Sequence, residues 1–297
     1  MMALTNPNAL PCAQKLYAQL QEVFGRKMLL GQQEFPGRDR ADQEMEHILR
    51  ETGKLPAIRG LDFMHDDYTG ALERSRAWHQ RGGIVSICWH TGLVGKGYTE
   101  SQAEQPDFAQ LLTPGTPEHE LLMRRWDDAA DALEALQQED IPVLWRPFHE
   151  FNGGWFWWGK GTGQDFIRLW RKMYDYYTHE RKLNNLIWVL GYADNVDPAW
   201  YPGDAYCDIG GSDTYKGVTT HAKAYRDLTQ LCPGKPLAFH ETGIMPGLDA
   251  FAADGVMWLW MLPWHGKWLM EDNDPDRLRL VYHDPRALTL EDVKNWR

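Results

Sequence analysis

The 297-residue sequence has no run of about 18 apolar residues, so no membrane-crossing helix is expected. It is short of positive charge: 31 Lys and Arg stand against 42 Asp and Glu, a net charge of -11. That balance argues against a nucleic-acid partner, whose phosphates require basic patches. Cysteine is scarce. Cys12, Cys88, Cys207 and Cys232 form no C-x-x-C pair, which argues against a zinc ribbon or a dithiol redox motif. Cys88 and Cys207 lie in apolar runs and read as small core residues, so no essential disulfide is expected. No G-x-G-x-x-G or P-loop follows a strand-like run, and no H-E-x-x-H occurs, so neither a cofactor nor a catalytic metal is expected. The opening MMALTNPNALPCAQ lacks the basic-then-apolar pattern of a leader, so the chain is expected to be cytoplasmic or a mature secreted or periplasmic form. With no linker, repeat or low-complexity stretch, a single domain over residues 1–297 is expected, and a monomer.

What the sequence does have is tryptophan. There are fifteen, many of them clustered at 145–170 and 258–268. An indole is costly to bury unless its N–H finds a partner, and its face stacks on the apolar face of a sugar ring. The segment RPFHEFNGGWFWWG (146–159) joins such aromatics to two basic groups, a carboxylate and an amide. That mixture suits a cleft that grips a flat, hydroxylated ligand and moves protons on it.

Eight short apolar runs recur along the chain: 27–33, 55–63, 82–90, 141–150, 184–192, 206–215, 235–243 and 255–263. Most are rich in β-branched or aromatic residues and have turn formers near their ends, the pattern of strands. Helical spacing appears between several of them, at 116–140, 162–181 and 221–232. The first of these is well marked, with Thr116 as cap, Pro117 at the first position, and Glu118 and Glu120 in the first turn. Alternating strands and helices predict a parallel α/β fold, and eight strands predict a closed (β/α)₈ TIM barrel. The segments at 193–205 and 244–254 are too short for full helices, so the barrel is predicted to be irregular there.

Catalytic groups of such barrels sit at the C-terminal ends of the strands. Two carboxylates stand there, Glu150 in HEFNGG and Glu241 in HETG, each directly after an apolar run and before a turn. Two carboxyls across one cleft suit glycoside cleavage: one protonated, to protonate the leaving oxygen, and one ionised, to attack the anomeric carbon or activate water. Separations of about 5–5.5 Å go with retention and about 6.5–9.5 Å with inversion.

The run WRPFHEFNGGWFWWG resembles the signature of glycoside hydrolase family 26, the β-mannanase family. WYPGDAYCDIGGSDTY (200–215) is similar to its sixth-strand segment, LAFHETG to its nucleophile strand, and VYHDPRALTLEDV (281–293) to its closing segment. The resemblance implies a retaining endo-β-1,4-mannanase with Glu150 as acid/base and Glu241 as nucleophile. It implies that Tyr215 hydrogen-bonds the nucleophile and that His90 and His149 surround the sugar at the cleavage point. It places Trp155 in the sugar-binding floor and Trp264 under the bound sugar. Phe156, Trp157 and Trp158 read as mostly packing, and Trp260 as core.

Other positions follow from strand parity or stay open. Arg146 shares parity with Glu150, so it is predicted to point inward and to need a carboxylate partner, with Asp62 and Asp213 as candidates. His149 and Glu150 are adjacent, so a bulge is required for both to face inward. His240 is predicted to point outward by alternation. Asn152 either touches substrate or shapes its turn. A β-1,3-1,4-glucanase or xylanase is the alternative within the family. An exo-acting enzyme would follow if the long segment 91–115 blocked one end of the cleft, and a non-catalytic sugar-binding barrel is a further reading.

Overall fold

In the computed structural model, which describes residues 2–37 and 40–296, eight parallel strands close on themselves. They are β1 (Met28–Gln33), β2 (Ile58–Asp62), β3 (Ile84–Cys88), β4 (Val143–Arg146), β5 (Leu186–Ala193), β6 (Ile209–Val218), β7 (Leu237–Ile244) and β8 (Trp260–Pro263). β1 pairs with both β8 and β2, so the ring has no free edge, and a short β9 (Ala287–Leu288) adds outside β1. The helices are α1 (Pro11–Val23), α2 (Gln43–Thr52), α3 (Tyr68–Gln80), α4 (Tyr98–Ala103), α5 (Phe108–Leu111), α6 (Pro117–Gln137), α7 (Gly163–Asp175), α8 (Ala222–Leu231), α9 (Leu248–Ala253), α10 (Lys267–Met270), α11 (Pro275–Tyr282) and α12 (Leu290–Val293). The predicted (β/α)₈ barrel is therefore the observed fold. Its irregular places are the predicted ones: single 3₁₀ turns fill 198–206 between β5 and β6, and six-residue α9 follows β7. Among the described residues no helix is long and apolar enough to cross a membrane.

Strand parity divides the core in two. Leu29, Ile58, Ile84, Leu144, Val189 and Trp260 point inward and form one cluster with Ala13, Leu16, Tyr17 and Leu20 of α1. The helix that precedes β1 thus closes the lower end of the barrel. Residues of the other parity, such as Val85, Val143, Trp188 and Phe239, pack on the surrounding helices. Burial on both faces is why these strands read as continuous apolar runs rather than as alternating ones.

The helix signals act as written. The Thr116 side chain accepts from the His119 amide at 3.2 Å at the start of α6, and Thr162 with Asp165 forms a reciprocal capping box on α7. The N-terminal segment is tied down by Asp208, a buried carboxylate just before β6. It accepts from the Thr5 amide at 2.7 Å and the Trp188 amide at 2.8 Å.

Asp208→Ala leaves both of those amides without an acceptor, at a cost of about 1–3 kcal/mol for each. The variant is expected to unfold at a lower denaturant midpoint and to expose the segment before α1 to proteases under native conditions. Unchanged proteolysis and midpoint would show that Asp208 does not hold the segment.

Candidate active site

Followed upward, the inward parity of each strand ends in polar groups: Gln33, Asp62, Cys88, Arg146, Asp213 and His240. These form the floor of the C-terminal mouth. Arg146 is fully buried at its centre. Its Nη1 donates to Glu241 Oε1 at 2.6 Å, and its Nη2 donates to Asp213 Oδ2. Asp213 Oδ1 accepts the backbone N–H of Glu241 at 3.1 Å, which closes the ring. Burial opposes the Arg146 charge, but Asp213 and Glu241 hold its pKa above the ordinary value. Gly191 makes the space, since a Cβ there would stand 2.9 Å from Arg146 Nε. Asp213 was a predicted partner of Arg146. Asp62, the other candidate, bonds His90 instead.

Glu241 reaches the floor through a bulge. Between Phe239 and Thr242, β7 runs three residues against two on β6 and two on β8. The extra residue turns two neighbours, His240 and Glu241, toward the barrel axis. The prediction that His240 points outward is thereby corrected. It is buried beneath Glu241, where its Nδ1 accepts from the Trp260 indole N–H at 3.1 Å. Burial and then the Arg146 charge push its pKa well below the ordinary value, so it is neutral. The other oxygen of Glu241 accepts from the Tyr215 hydroxyl at 2.8 Å.

Glu150 is presented differently from the expectation. β4 ends at Arg146, and the chain then turns through Phe148 (φ 50°) and Glu150 (φ 54°), both left-handed. A non-glycine residue pays for that conformation, and the surroundings must hold it. They do: the Glu150 amide donates to the Gly191 carbonyl at 2.7 Å, and the Trp158 indole N–H donates to the His149 carbonyl at 2.7 Å. Two left-handed residues, not a bulge, therefore bring His149 and Glu150 to the same side. Asn152 shapes this turn. Its amide accepts from the Ala193 N–H at 2.7 Å and donates to the carbonyls of Ala193 at 2.9 Å and Asn195 at 2.6 Å.

Glu150 and Glu241 bring carboxylate oxygens within 4.8 Å of each other. Glu150 is 9% exposed. Burial, and then the Glu241 charge, push its pKa up to about 7, against the opposing effects of Arg146 and of the Trp155 indole N–H, which donates to Oε2 at 2.8 Å.

The remaining predicted residues gather around this pair. His90 Nδ1 lies 2.6 Å from Asp62 Oδ2, and its Nε2 lies 3.0 Å from His149 Nε2, so one proton is shared between the two rings. Burial works against a charge on His90, and Asp62 overrides it to raise the pKa. Burial and the Arg146 charge hold His149 well below its ordinary value, and its Nε2 stands 3.6 Å from Glu241 Oε1. The Trp264 ring is half-buried and meets His90 edge-on at 5.8 Å. Trp155, 37% exposed, lines a chamber of about 490 Å³ with Glu150, Tyr98, Gln102, Asp194 and Lys216.

Sequence reasoning missed Tyr98, whose ring lies 5.4 Å from His90, and it read Phe156 as packing, which its burial and its stacking on Trp158 bear out. Phe156 lies 5.2 Å from His90 and 5.5 Å from His149. Tyr98 is an isolated aromatic in a polar loop, so no pattern marked it. Among the described residues two sets of side chains have metal-like proximity, Asp62–Cys88–His90 and Glu150–Asp213–Glu241. Each already has internal partners, His90 with Asp62 and Arg146 between Asp213 and Glu241, which makes neither an open ligand set.

A closed parallel barrel carrying two close, unequal carboxyls over a buried arginine is the architecture of a two-carboxylate glycosidase. Residues 5–292 match the model of glycosyl hydrolase family 26, and the chain belongs to that family. It is 33% identical, over 99% of its length, to a mannan endo-1,4-β-mannosidase of Thermothelomyces thermophilus. It is also 33% identical, over 91% of its length, to mannan endo-1,4-β-mannosidase A and B of Caldalkalibacillus mannanilyticus. The chain spans 64% and 60% of those two relatives. The crystal structure of a Podospora anserina GH26-CBM35 β-(1,4)-mannanase superposes with a TM-score of 0.90 at 34% identity, covering 99% of this chain and 69% of that one.

The raised pKa of Glu150 has a sign consequence for stability. Between its ordinary value of 4.5 and about 7, the unfolded chain has released this proton and the folded chain still holds it. The stability contributed by Glu150 is complete below the ordinary value and is lost as pH rises through about 7. Glu150→Gln is therefore expected to be more stable than the parent at pH 8, by about 1–3 kcal/mol, with the gap closing near pH 4. Denaturant titrations at the two pH values measure it, and a gap independent of pH would contradict the assignment.

Proposed function

We propose that this chain is a retaining, endo-acting β-1,4-mannanase. The reading rests on one observation above the rest, the approach of Glu150 and Glu241 oxygens to within 4.8 Å, which is closer than the separation of about 6.5–9.5 Å that an inverting pair needs and favours a double displacement. Glu150, protonated up to about pH 7, protonates the departing glycosidic oxygen. Glu241, aimed by Arg146 and Tyr215, attacks the anomeric carbon and forms a glycosyl-enzyme. Glu150, now ionised, takes a proton from the incoming water, which displaces Glu241 and leaves the anomeric configuration as it began. His90, His149, Trp155 and Trp264 are the groups that hold the sugars. Endo action on mannan is supported by the names of the relatives, both mannan endo-1,4-β-mannosidases.

Hydrolysis of mannan, glucomannan, mixed-linkage glucan and xylan, with products sized, tests substrate and mode together. Mannan is expected to yield mixed oligosaccharides, and a single product length or a preference for another glycan would overturn the reading. Glu241→Ala is expected to lose hydrolysis and keep binding. Glu150→Ala is expected to lose roughly 10²–10⁴-fold on mannan and to keep cleavage of a dinitrophenyl glycoside, whose leaving group needs no proton. For the parent, kcat/KM is expected to fall as pH rises through about 7. Inversion of the anomer in an NMR time course would remove the nucleophile role from Glu241.

A further inference from the structure

We infer that Glu104, outside the catalytic machinery, is the positioning residue that fixes the wall of the leaving-group subsite. The inference rests on the reading of Glu150 as proton donor, because the sugar that departs with that proton has the chamber beside Glu150 to occupy. One wall of the chamber is α4, through Tyr98 and Gln102, whose side-chain amide donates to the Tyr98 hydroxyl at 3.2 Å. Tyr98 packs its ring against Phe156 at 5.7 Å.

Two charged groups hold the C-terminal end of α4. The Glu104 carboxylate, at the end of α4, accepts from three consecutive amides: Leu93 on Oε2, with Val94 at 3.2 Å and Gly95 at 3.0 Å on Oε1. Charge-assisted bonds of this kind are the strong ones. From the loop after β4, Lys160 Nζ donates to the carbonyl of Gln102 and, at 3.0 Å, to that of Glu104.

The backbone is cut to fit this arrangement. A Cβ at Gly92 would stand 2.3 Å from Glu104 Oε1, and one at Gly95 would stand 2.0 Å from Glu100 Cγ. Val94, between them, is 76% exposed and Leu93 beside it is buried in the core, so the tip of the loop is held by these polar bonds together with the one buried leucine. Residue 96 is tied separately, its carbonyl accepting from the His65 amide at 2.5 Å. The segment from 91 to 104 is thus a braced wall, and the carboxylate of Glu104 is its brace.

The test is a ratio within one enzyme. Glu104→Ala is expected to lower kcat/KM on mannan by about tenfold, through KM, because the wall no longer meets the leaving sugar. On 4-nitrophenyl β-mannobioside, whose leaving group is a small phenol, the change is expected to stay under about twofold. Transfer to an added oligosaccharide acceptor, which must enter the same chamber, is expected to fall relative to transfer to water. Glu104→Gln keeps one acceptor oxygen and is expected to lie between. Equal losses on both substrates, or no loss on the polymer, would overturn the assignment. Lys160→Met removes the other charged tether of α4 and is expected to show the same selectivity if Glu104→Ala does not fold; equal losses from Lys160→Met would count against the assignment. If the parent prefers another β-glycan, the mannanase reading fails on its own, and the same ratio measured on that glycan and its aryl glycoside still decides the role of Glu104.

Discussion

A guanidinium with no access to water sits under the mouth of the barrel, and the groups around it are those that such a charge demands. Arg146 touches Asp213 and Glu241, and Asp213 also holds the backbone of Glu241. Loss of one partner from a buried pair leaves an uncompensated charge, which costs about 3–5 kcal/mol. The ion cluster is therefore kept whole by folding energetics, and the chemistry makes use of its geometry. Glu241 is aimed by the same contact that satisfies Arg146. Burial, and then the negative charge of Glu241 across the gap, raises the proton affinity of Glu150. One buried ionic arrangement thus gives two like side chains opposite tasks.

Two departures from regular backbone complete the site. The strand ahead of Glu150 stops early and turns through two left-handed residues, and the strand of Glu241 gains an extra residue. Each breaks the alternation that otherwise sends neighbours to opposite faces. The result is that His149 with Glu150, and His240 with Glu241, act as adjacent inward pairs. The cost of the first departure is met by fixed partners, Gly191 for the Glu150 amide and Trp158 for the His149 carbonyl.

The eight strands and the long helices were legible because burial on two faces writes unbroken apolar runs and because Thr116 and Pro117 mark a helix start plainly. Glu150 and Glu241 were legible as carboxylates placed where a buried strand meets a turn, and Arg146 as a charge whose parity demanded a partner. His240 was misjudged because parity assumes an even strand, and no residue in LAFHETG announces the extra one. The early end of β4 was missed for a similar reason, since Phe148 and Glu150 are not residue types that favour a left-handed turn. The wall carrying Tyr98 was invisible because its order comes from a carboxylate meeting three amides across the loop, a contact that has no local pattern. Most of the tryptophans proved to be buried packing groups, four of them (Trp157, Trp158, Trp170 and Trp258) with the indole N–H on a backbone carbonyl, and Trp155 and Trp264, the two predicted to touch sugar, are only partly buried.

The bond between Thr5 and Asp208 joins positions 203 residues apart. The segment that seals the lower end of the barrel is made by the ribosome long before the carboxylate that receives it. During synthesis α1 and its apolar face wait without their strands, because β5 to β8 complete the surface on which it docks. Closure of the ring and seating of that plug are consequently late and mutually dependent events, the kind of long-range assembly that folds slowly and leaves an apolar helix accessible to chaperones in the interval.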